Sequence, residues 1–476
     1  MARLVAGGWP NGRVRGVGTH ELRVRVPSRP VHQLFCFFVE PACRENFCVM
    51  LVHRKLSKKI FSAIMPMKMK LAVIAFPGNN CEIETARWVE RAGFSAKIFR
   101  WNQSEEIKKF SADGYILPGG FSFEDRGRSG SIAARESIFD VLRDEAQRGK
   151  IILGICNGAQ MIIESGLIPV GENPIPLVLT KNIRHDQSGE ILGIGYYNDW
   201  CHISPERKNT AFTSKISGPM RVPIAHAEGR FFTHDKTAEK KLEDGSIVAF
   251  RYTDECGRSE ASFPTTPNGA MHATAAVVNE AGTIMAMMPH PERFFDRHSS
   301  EEILHSMADW IGQKKSPEEV FIGDFSDLSV PKIFPFDIKK ADLLLTKKLI
   351  INDNACFSVR RSAEKIAKKP ITLSRKIAFV ITGETDFDLI KNRGFLHHPR
   401  KEILSTETGK NAYLVMPQAD DESEQISAEI SEALGKKIVI KKGILWDFDT
   451  TDADTVKKIL HQRLLWNPNA EKIWKL

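Results

Sequence analysis

The chain has 476 residues, 42% hydrophobic and 26% charged, which describes a globular protein of about two to four domains. No apolar run reaches the roughly 18 residues a membrane-spanning helix needs, so a membrane partner is not expected. The formal charge of +8 invites a nucleic-acid partner, but residues 1–66 hold eleven Arg and Lys against three acids and carry all of it, while the remainder is neutral.

That first stretch, residues 1–66, has no sustained period of 3.6 or 2 and runs into Met65-Pro66-Met67-Lys68-Met69-Lys70. Three readings stand for it: translation starting at one of those methionines, a disordered leader, or an organelle-targeting peptide. Against the last, Phe35 to Val49 is interrupted by Glu40, Arg44 and Glu45. Cys43, Cys48 and His53 match no established zinc spacing, and no metal is expected. Beyond the leader the cysteines are scattered without a C-x-x-C pair, which points to a reducing cytoplasm.

From Lys70 the chain alternates strand and helix signals. Leu71–Phe76 reads as a strand, and Ile83, Ala86 and Val89 mark a helix ending at Gly93. Tyr115–Leu117 is a strand before Pro118-Gly119-Gly120, Phe139, Leu142 and Ala146 mark a helix, and Ile151–Ile155 is the next strand. Continuous apolar strands between helices predict an α/β fold with a mostly parallel sheet covered on both faces. Ser299-x-x-Glu302 resembles a capping box opening a helix with Ile303, Met307, Trp310 and Ile311 on one stripe. Ser316-Pro317 then closes a first globular unit over 67–315. Residues 316–409 carry no motif and are left as a linker or domain. Over 410–476, strand, helix (Ile426, Ile430, Leu434), strand, helix (Val456, Ile459, Leu460, Leu464) and strand predict a small α+β domain with two helices on one face of a sheet. No internal repeat of solenoid period and no low-complexity tract is visible.

The chemistry centres on Gly154-Ile155-Cys156-Asn157-Gly158, a thiol counterpart of the nucleophile elbow. A sharp strand-to-helix turn with small neighbours presents the sulfur at the carboxyl end of the sheet, and a helix N-terminus favours thiolate. A lone Cys is more often a small buried hydrophobe, a reading the elbow context reverses. Met288-Pro289-His290-Pro291-Glu292-Arg293 supplies the base: in an extended chain Glu292 falls on the same side as His290 and fixes its tautomer. The Gly119-Gly120 turn and the N–H of Asn157 offer oxyanion donors.

The GICNGAQ elbow, the Pro118-Gly-Gly-Phe121-Ser122 turn and the MMPHPER run resemble, in that order, class I triad-type glutamine amidotransferases. The segments Phe76-Pro-Gly-Asn-Asn-Cys81, Pro223-Ile-Ala-His226-Ala-Glu228-Gly229-Arg230 and Pro267-Asn268-Gly269 look like one branch, the amidotransferase subunits of phosphoribosylformylglycinamidine synthase, over about residues 68–313. The resemblance implies that Cys156 attacks the glutamine amide, that His290 shuttles the proton and that Glu292 orients it. It further implies that Gly119, Gly120, Phe121, Asn157 and Gln160 form the oxyanion and glutamine-binding set. The ammonia then goes to a partner, the large synthetase subunit, which uses ATP to convert formylglycinamide ribonucleotide to formylglycinamidine ribonucleotide in purine biosynthesis. His226 and Glu228 are a possible second acid/base pair, with a structural or tunnel-side role for His226 preferred. Two departures stand out: Ala227 where the family usually has Gly, and Glu124-Asp125-Arg126-Gly127-Arg128 where it usually has a Gly-Asp-Tyr-like run.

Leu464-Leu465-Trp466-Asn467-Pro468-Asn469-Ala470-Glu471 is similar to the end of the small bridging subunit of the same synthase, which implies a fusion of two subunits. No phosphate-binding or zinc-protease motif occurs, so no cofactor is expected in this chain, and ATP and Mg belong on the partner synthetase. Two other readings remain: an amidotransferase for another acceptor, and a catalytically silent scaffold.

Overall fold

The computed structural model describes residues 69–476 apart from 294–299, 314–319, 324, 326, 327, 330, 331, 338–342, 384–386, 419, 420 and 451. The leader readings and the Cys43, Cys48, His53 set therefore lie outside the described residues, as do Ser299 and Ser316-Pro317. No helix among the described residues is long and apolar enough to cross a membrane.

The first sheet has nine strands: β1 (Lys70–Ala75), β2 (Ser95–Arg100), β3 (Gly114–Leu117), β4 (Ile151–Ile155), β5 (Tyr197–Pro205), β6 (Met220–His226), β7 (Val248–Thr253), β8 (Thr274–Val278) and β9 (Ile284–Met287), in the order β2-β1-β3-β4-β9-β8-β7-β5-β6. The first five of that order run parallel, and β8, β7, β5 and β6 extend the sheet antiparallel. Strands β3, β4 and β9 are buried throughout, as expected of apolar runs covered on two sides. Helices α1 (Glu82–Arg91), α2 (Ser104–Phe110), α3 (Ile138–Gln147), α4 (Asn157–Ser165), α5 (Lys236–Glu243) and α6 (Glu301–Gly312) flank it, with α1 packed on α6 and α2 on α3. Helix α6 starts after Ser300, whose side chain makes no cap hydrogen bond. In α1 the buried stripe is Thr85, Trp88 and Val89, while Ile83 faces solvent.

The second sheet corrects the expected boundary of the C-terminal domain. Strands β10 (Ile333–Pro335), β11 (Leu343–Leu349), β12 (Leu373–Thr382) and β13 (Glu402–Ser405) join β14 (Ala412–Pro417), β15 (Val439–Phe448) and β16 (Glu471–Lys475) in the order β10-β16-β14-β15-β12-β11-β13. The domain expected over 410–476 is thus half of a larger unit, and the strands of 343–405 make the other half. The ten-residue antiparallel ladder between β12 and β15 welds them together.

The two halves repeat one another. With α7 (Asn354–Ala367), α8 (Phe387–Arg393), α9 (Asp421–Leu434) and α10 (Ala453–His461), each half runs β-α-β-α-β, namely β11-α7-β12-α8-β13 and β14-α9-β15-α10-β16. Ile377 and Ile444 pair with each other in the central ladder, and Arg375↔Trp446 and Phe379↔Lys442 pair on either side of them. Shifting each residue of β12 by 67 positions maps this ladder onto itself, so a quasi-twofold axis passes between Ile377 and Ile444. The same shift superposes Cys356 on Ser423, Val359 on Ile426 and Ala363 on Ile430. Helix α7 packs with α10 over one half of the sheet, and α9 and α8 share the apolar cluster over the other.

Ile459, fully buried on α10, anchors the first of these layers. Ile459→Ala is expected to cost about 2–5 kcal/mol in chemical denaturation, and a loss below about 1 kcal/mol would contradict the packing described.

Candidate active site

The site begins with strand register. Strands β4 and β9 are parallel neighbours paired Ile155↔Met287, so both chains leave the sheet at the same carboxyl edge, Cys156 from one and Met288 to Glu292 from the other. The Cys156 N–H donates to Met287 O at 2.7 Å. Cys156 takes φ +52° and ψ −107°, a strained conformation for an L residue and the geometry of an elbow between β4 and α4. Gly158 makes the elbow possible, because a Cβ there would lie 2.0 Å from the Leu117 carbonyl of β3.

His290 is 1% and Glu292 0% exposed, and His290 Nδ1 bonds Glu292 Oε1 at 2.6 Å. The His290 N–H donates to Pro223 O of β6, which fixes its backbone. Glu292 reaches the ring from a 3-10 turn over Pro291–Arg293, not from the extended chain expected from the sequence. The other ring nitrogen, Nε2, has no further partner and is left for the Cys156 thiol. Burial opposes the imidazolium, but the Glu292 carboxylate and then Cys156 outweigh it and raise the His290 pKa to about 10. A charged His290 sets a positive charge beside the Cys156 sulfur.

Gly119 touches both partners: a Cβ there would meet His290 Cε1 at 2.8 Å, Cys81 Sγ at 3.1 Å and Cys156 Cβ at 3.4 Å. Only glycine lets the β3 turn lie against the thiol and imidazole together. Gly120 follows at φ +124° and bridges to Asn79. The Phe121 N–H donates to Gly78 O, so it is committed to the turn, and its ring is exposed. Asn157 ties this loop to the nucleophile helix: its Oδ1 accepts from Ser122 N at 2.8 Å, and its Nδ2 donates to Asp125 Oδ1 at 3.1 Å and to Gln160 Oε1 at 2.8 Å.

Gln160, expected on the substrate, has its amide occupied by the protein, with Nε2 donating to Glu228 O at 2.6 Å. His226 lies buried near His290, and burial first, then the His290 charge, lower its pKa to about 3. Neutral at pH 7, it cannot be an acid there. Asn182 Nδ2 bonds its Nδ1 at 3.1 Å, which leaves the ring proton on Nε2. Gly229 is pressed on the same ring, where a Cβ would lie 2.1 Å from Cε1.

Three features were missed from sequence. Asp125 ends a run of left-handed residues from Phe123, and burial, then the Glu228 charge, raise its pKa to about 7. Cys81 packs beside the triad, its thiol pushed well up by burial and by Glu292. Among the described residues, Cys81, His290 and Glu292 are grouped closely enough to hold a metal, with donor atoms within 4.8 Å, but Arg293 donates to Cys81 Sγ at 2.9 Å and sets a positive charge against a cation. The third is the junction with the C-terminal unit. Glu164, on the nucleophile helix, takes a bidentate bond from Arg128 at 2.5 and 2.8 Å and accepts from Asn467 Nδ2 at 3.1 Å. Arg128 and Arg135 donate onward to the Arg463 and Gln462 carbonyls. A cavity of about 350 Å³ lies between the two units, with Glu228 and Arg128 on one wall and Arg375, Ile377, Lys442 and Ile444, around the quasi-twofold axis, on the other. The sequence signals for this junction were the run Glu124–Arg128 and the motif Leu464–Glu471.

Residues 68–319 match the model of the CobB/CobQ-like glutamine amidotransferase domain. Phosphoribosylformylglycinamidine synthase subunit PurQ of Methanothrix thermoacetophila is 43% identical over 233 residues, covering 48% of this chain and 87% of the relative. The PurQ subunit of Pyrococcus furiosus is 36% identical over 250 residues, covering 51% of this chain and 98% of the relative. A solved structure of PurLQS from Thermotoga maritima is 29% identical, covering 52% of this chain and 100% of the other, with a TM-score of 0.40.

Because Glu292 raises the His290 pKa, Glu292→Gln is expected to lower it by at least one unit, read from the imidazole NMR shifts. A raised folded-state pKa means the pair stabilises fully below His290's unfolded value near 6.5 and loses that contribution as pH climbs through the folded value of about 10. The stability gap between the wild type and Glu292→Gln should therefore be widest near pH 6 and narrow toward pH 10. An unchanged midpoint or a gap independent of pH would contradict this.

Proposed function

The chain belongs to the CobB/CobQ-like glutamine amidotransferases, among the PurQ subunits of phosphoribosylformylglycinamidine synthase, and we propose that Cys156, His290 and Glu292 hydrolyse glutamine to supply ammonia to a partner synthetase. The observation that carries this reading is Cys156 held at positive φ between β4 and α4, beside the buried His290–Glu292 pair.

Thiolate attack on the glutamine side-chain carbonyl forms a tetrahedral oxyanion, met by first-turn amides of α4 and the Gly119-Gly120 turn. His290 then gives its proton to the departing amide nitrogen, releasing ammonia and leaving a glutamyl thioester on Cys156. Water, deprotonated by His290, cleaves the thioester and restores the thiolate–imidazolium pair. Glu292 holds the ring orientation and stabilises the imidazolium at each stage.

The acceptor reaction follows from the family: the ammonia converts formylglycinamide ribonucleotide to formylglycinamidine ribonucleotide on a separate ATP-using subunit, PurL. Residues 343–475 take the bridging role of the small subunit, within the same chain. The motif Leu464–Glu471 supports this, because it is the segment through which the C-terminal unit grips Glu164 and Arg128 of the amidotransferase.

Cys156→Ala and His290→Ala are each expected to abolish glutamine-dependent synthesis by the reconstituted complex while ammonia-dependent synthesis continues. Loss of both activities, or retention of the glutamine-dependent one, would overturn the assignment.

A further inference from the structure

The repeat extends to the motif that docks on the amidotransferase. Shifted by 69 positions, Leu464-Leu465-x-x-Pro468-x-x-Glu471 falls on Phe395-Leu396-x-x-Pro399-x-x-Glu402. The local structure is the same in both copies. The Asn467 N–H donates to Glu471 Oε2 at 2.8 Å and the His398 N–H to Glu402 Oε2 at 2.8 Å; the Glu471 and Glu402 N–H groups return to the Asn467 and His398 carbonyls at 2.7 and 2.9 Å. The quasi-twofold axis thus builds one loop twice.

The two loops differ in what covers them. Leu464 is 1% exposed and Asn467 0%, under Arg128, Arg135 and Glu164 of the amidotransferase. Phe395 is 36% exposed, and the loop lines an open groove of about 730 Å³ with Arg393, His397, Pro399 and Lys347. His397 Nδ1 is buried in that wall without a hydrogen-bond partner. Charge also differs: residues 391–402 hold Lys391, Arg393, Arg400 and Lys401 against Glu402, whereas 460–471 hold Arg463 against Glu471.

We propose that the loop 394–402 and its groove are a second docking site, the quasi-symmetric counterpart of the amidotransferase junction, and that it receives a carboxylate-rich surface of the ammonia-accepting synthetase subunit. The inference rests on the chain's being an ammonia-supplying subunit. A second copy of this chain's own amidotransferase is a poor occupant, because it would bring Arg128 and Arg135 against Arg393, Arg400 and Lys401, and Arg400 stands where Asn469 is buried in the existing junction. An acidic protein surface meets the cations and covers Phe395, as Leu464 is covered at the occupied site.

The test is the affinity of the full chain for the purified synthetase subunit, comparing wild type with the double variant Arg400→Glu/Lys401→Glu. The expected result is at least a tenfold rise in Kd, a wild-type Kd that rises with salt, and a glutaminase rate and melting temperature of the isolated chain left unchanged. Phe395→Ala should also weaken binding, independently of charge. A Kd within twofold of wild type, with glutamine-dependent synthesis intact, would overturn the docking site alone. So would loss of self-association in the variant by sedimentation, or loss of binding to anionic vesicles or nucleic acid with synthetase affinity retained. Wild-type chain that supports no glutamine-dependent synthesis would instead overturn the ammonia-supply reading, and the docking site with it.

Discussion

The parallel pairing of β4 with β9 is the constraint on which the rest of the site depends. It is a backbone register, sealed by the Cys156 N–H to Met287 O bond, and it brings two segments more than 130 residues apart to one edge of the sheet. With both strands buried and apolar, a slip by one residue would turn every side chain to the wrong face. The positive φ of Cys156 is affordable only because that register, Gly158 against β3 and a wholly buried α4 over-determine the turn.

Burial then does electrical work. The imidazole of His290 would be neutral in such a dry place, as His226 is, were Glu292 not beside it. Two histidines in one pocket thus hold opposite states: one meets a carboxylate, the other an Asn amide and a neighbouring positive charge. A second buried charge cluster stands at the far end of the nucleophile helix, where Glu164 is shared by Arg128 and Arg135. Buried ions are costly unless fully paired, so this junction favours one arrangement of the two units over sliding alternatives.

The elbow, the His290–Glu292 pair and the βα order of the first unit were legible because each is a local pattern: a Cys between small residues, a His two positions from a Glu, apolar runs of strand length. The oxyanion-side residues were legible only in part. Gln160 and Phe121 sit where the motif puts them, yet their polar groups are taken up by Glu228 and Gly78, pairings made across the fold. The C-terminal duplication escaped reading for a different reason. Its two copies share three residues of one loop and an apolar pattern shifted by 67 to 69 positions, and their identity lies in a ladder symmetry between β12 and β15 that composition does not encode.

The run Glu124–Arg128 and the unit that follows the amidotransferase are fitted to each other. Arg126 reaches the Ser358 hydroxyl and the Asn354 carbonyl at the start of α7; Gly127 leaves room for Val359, which would stand 3.1 Å from a Cβ there; Arg128 binds the Arg463 carbonyl and pairs with Glu471. All three act on the unit that follows the amidotransferase in the same chain. The run therefore serves as an internal docking surface: Arg126 and Arg128 each reach the C-terminal unit while also holding Glu124 and Glu164 of the amidotransferase. The left-handed run of Phe123 to Asp125 links that surface to Asn157, so the strain of the loop sits between the C-terminal unit and the residue beside the nucleophile. Attachment of the unit and the shape of the oxyanion-side loop are then one structural problem, solved by the same five residues.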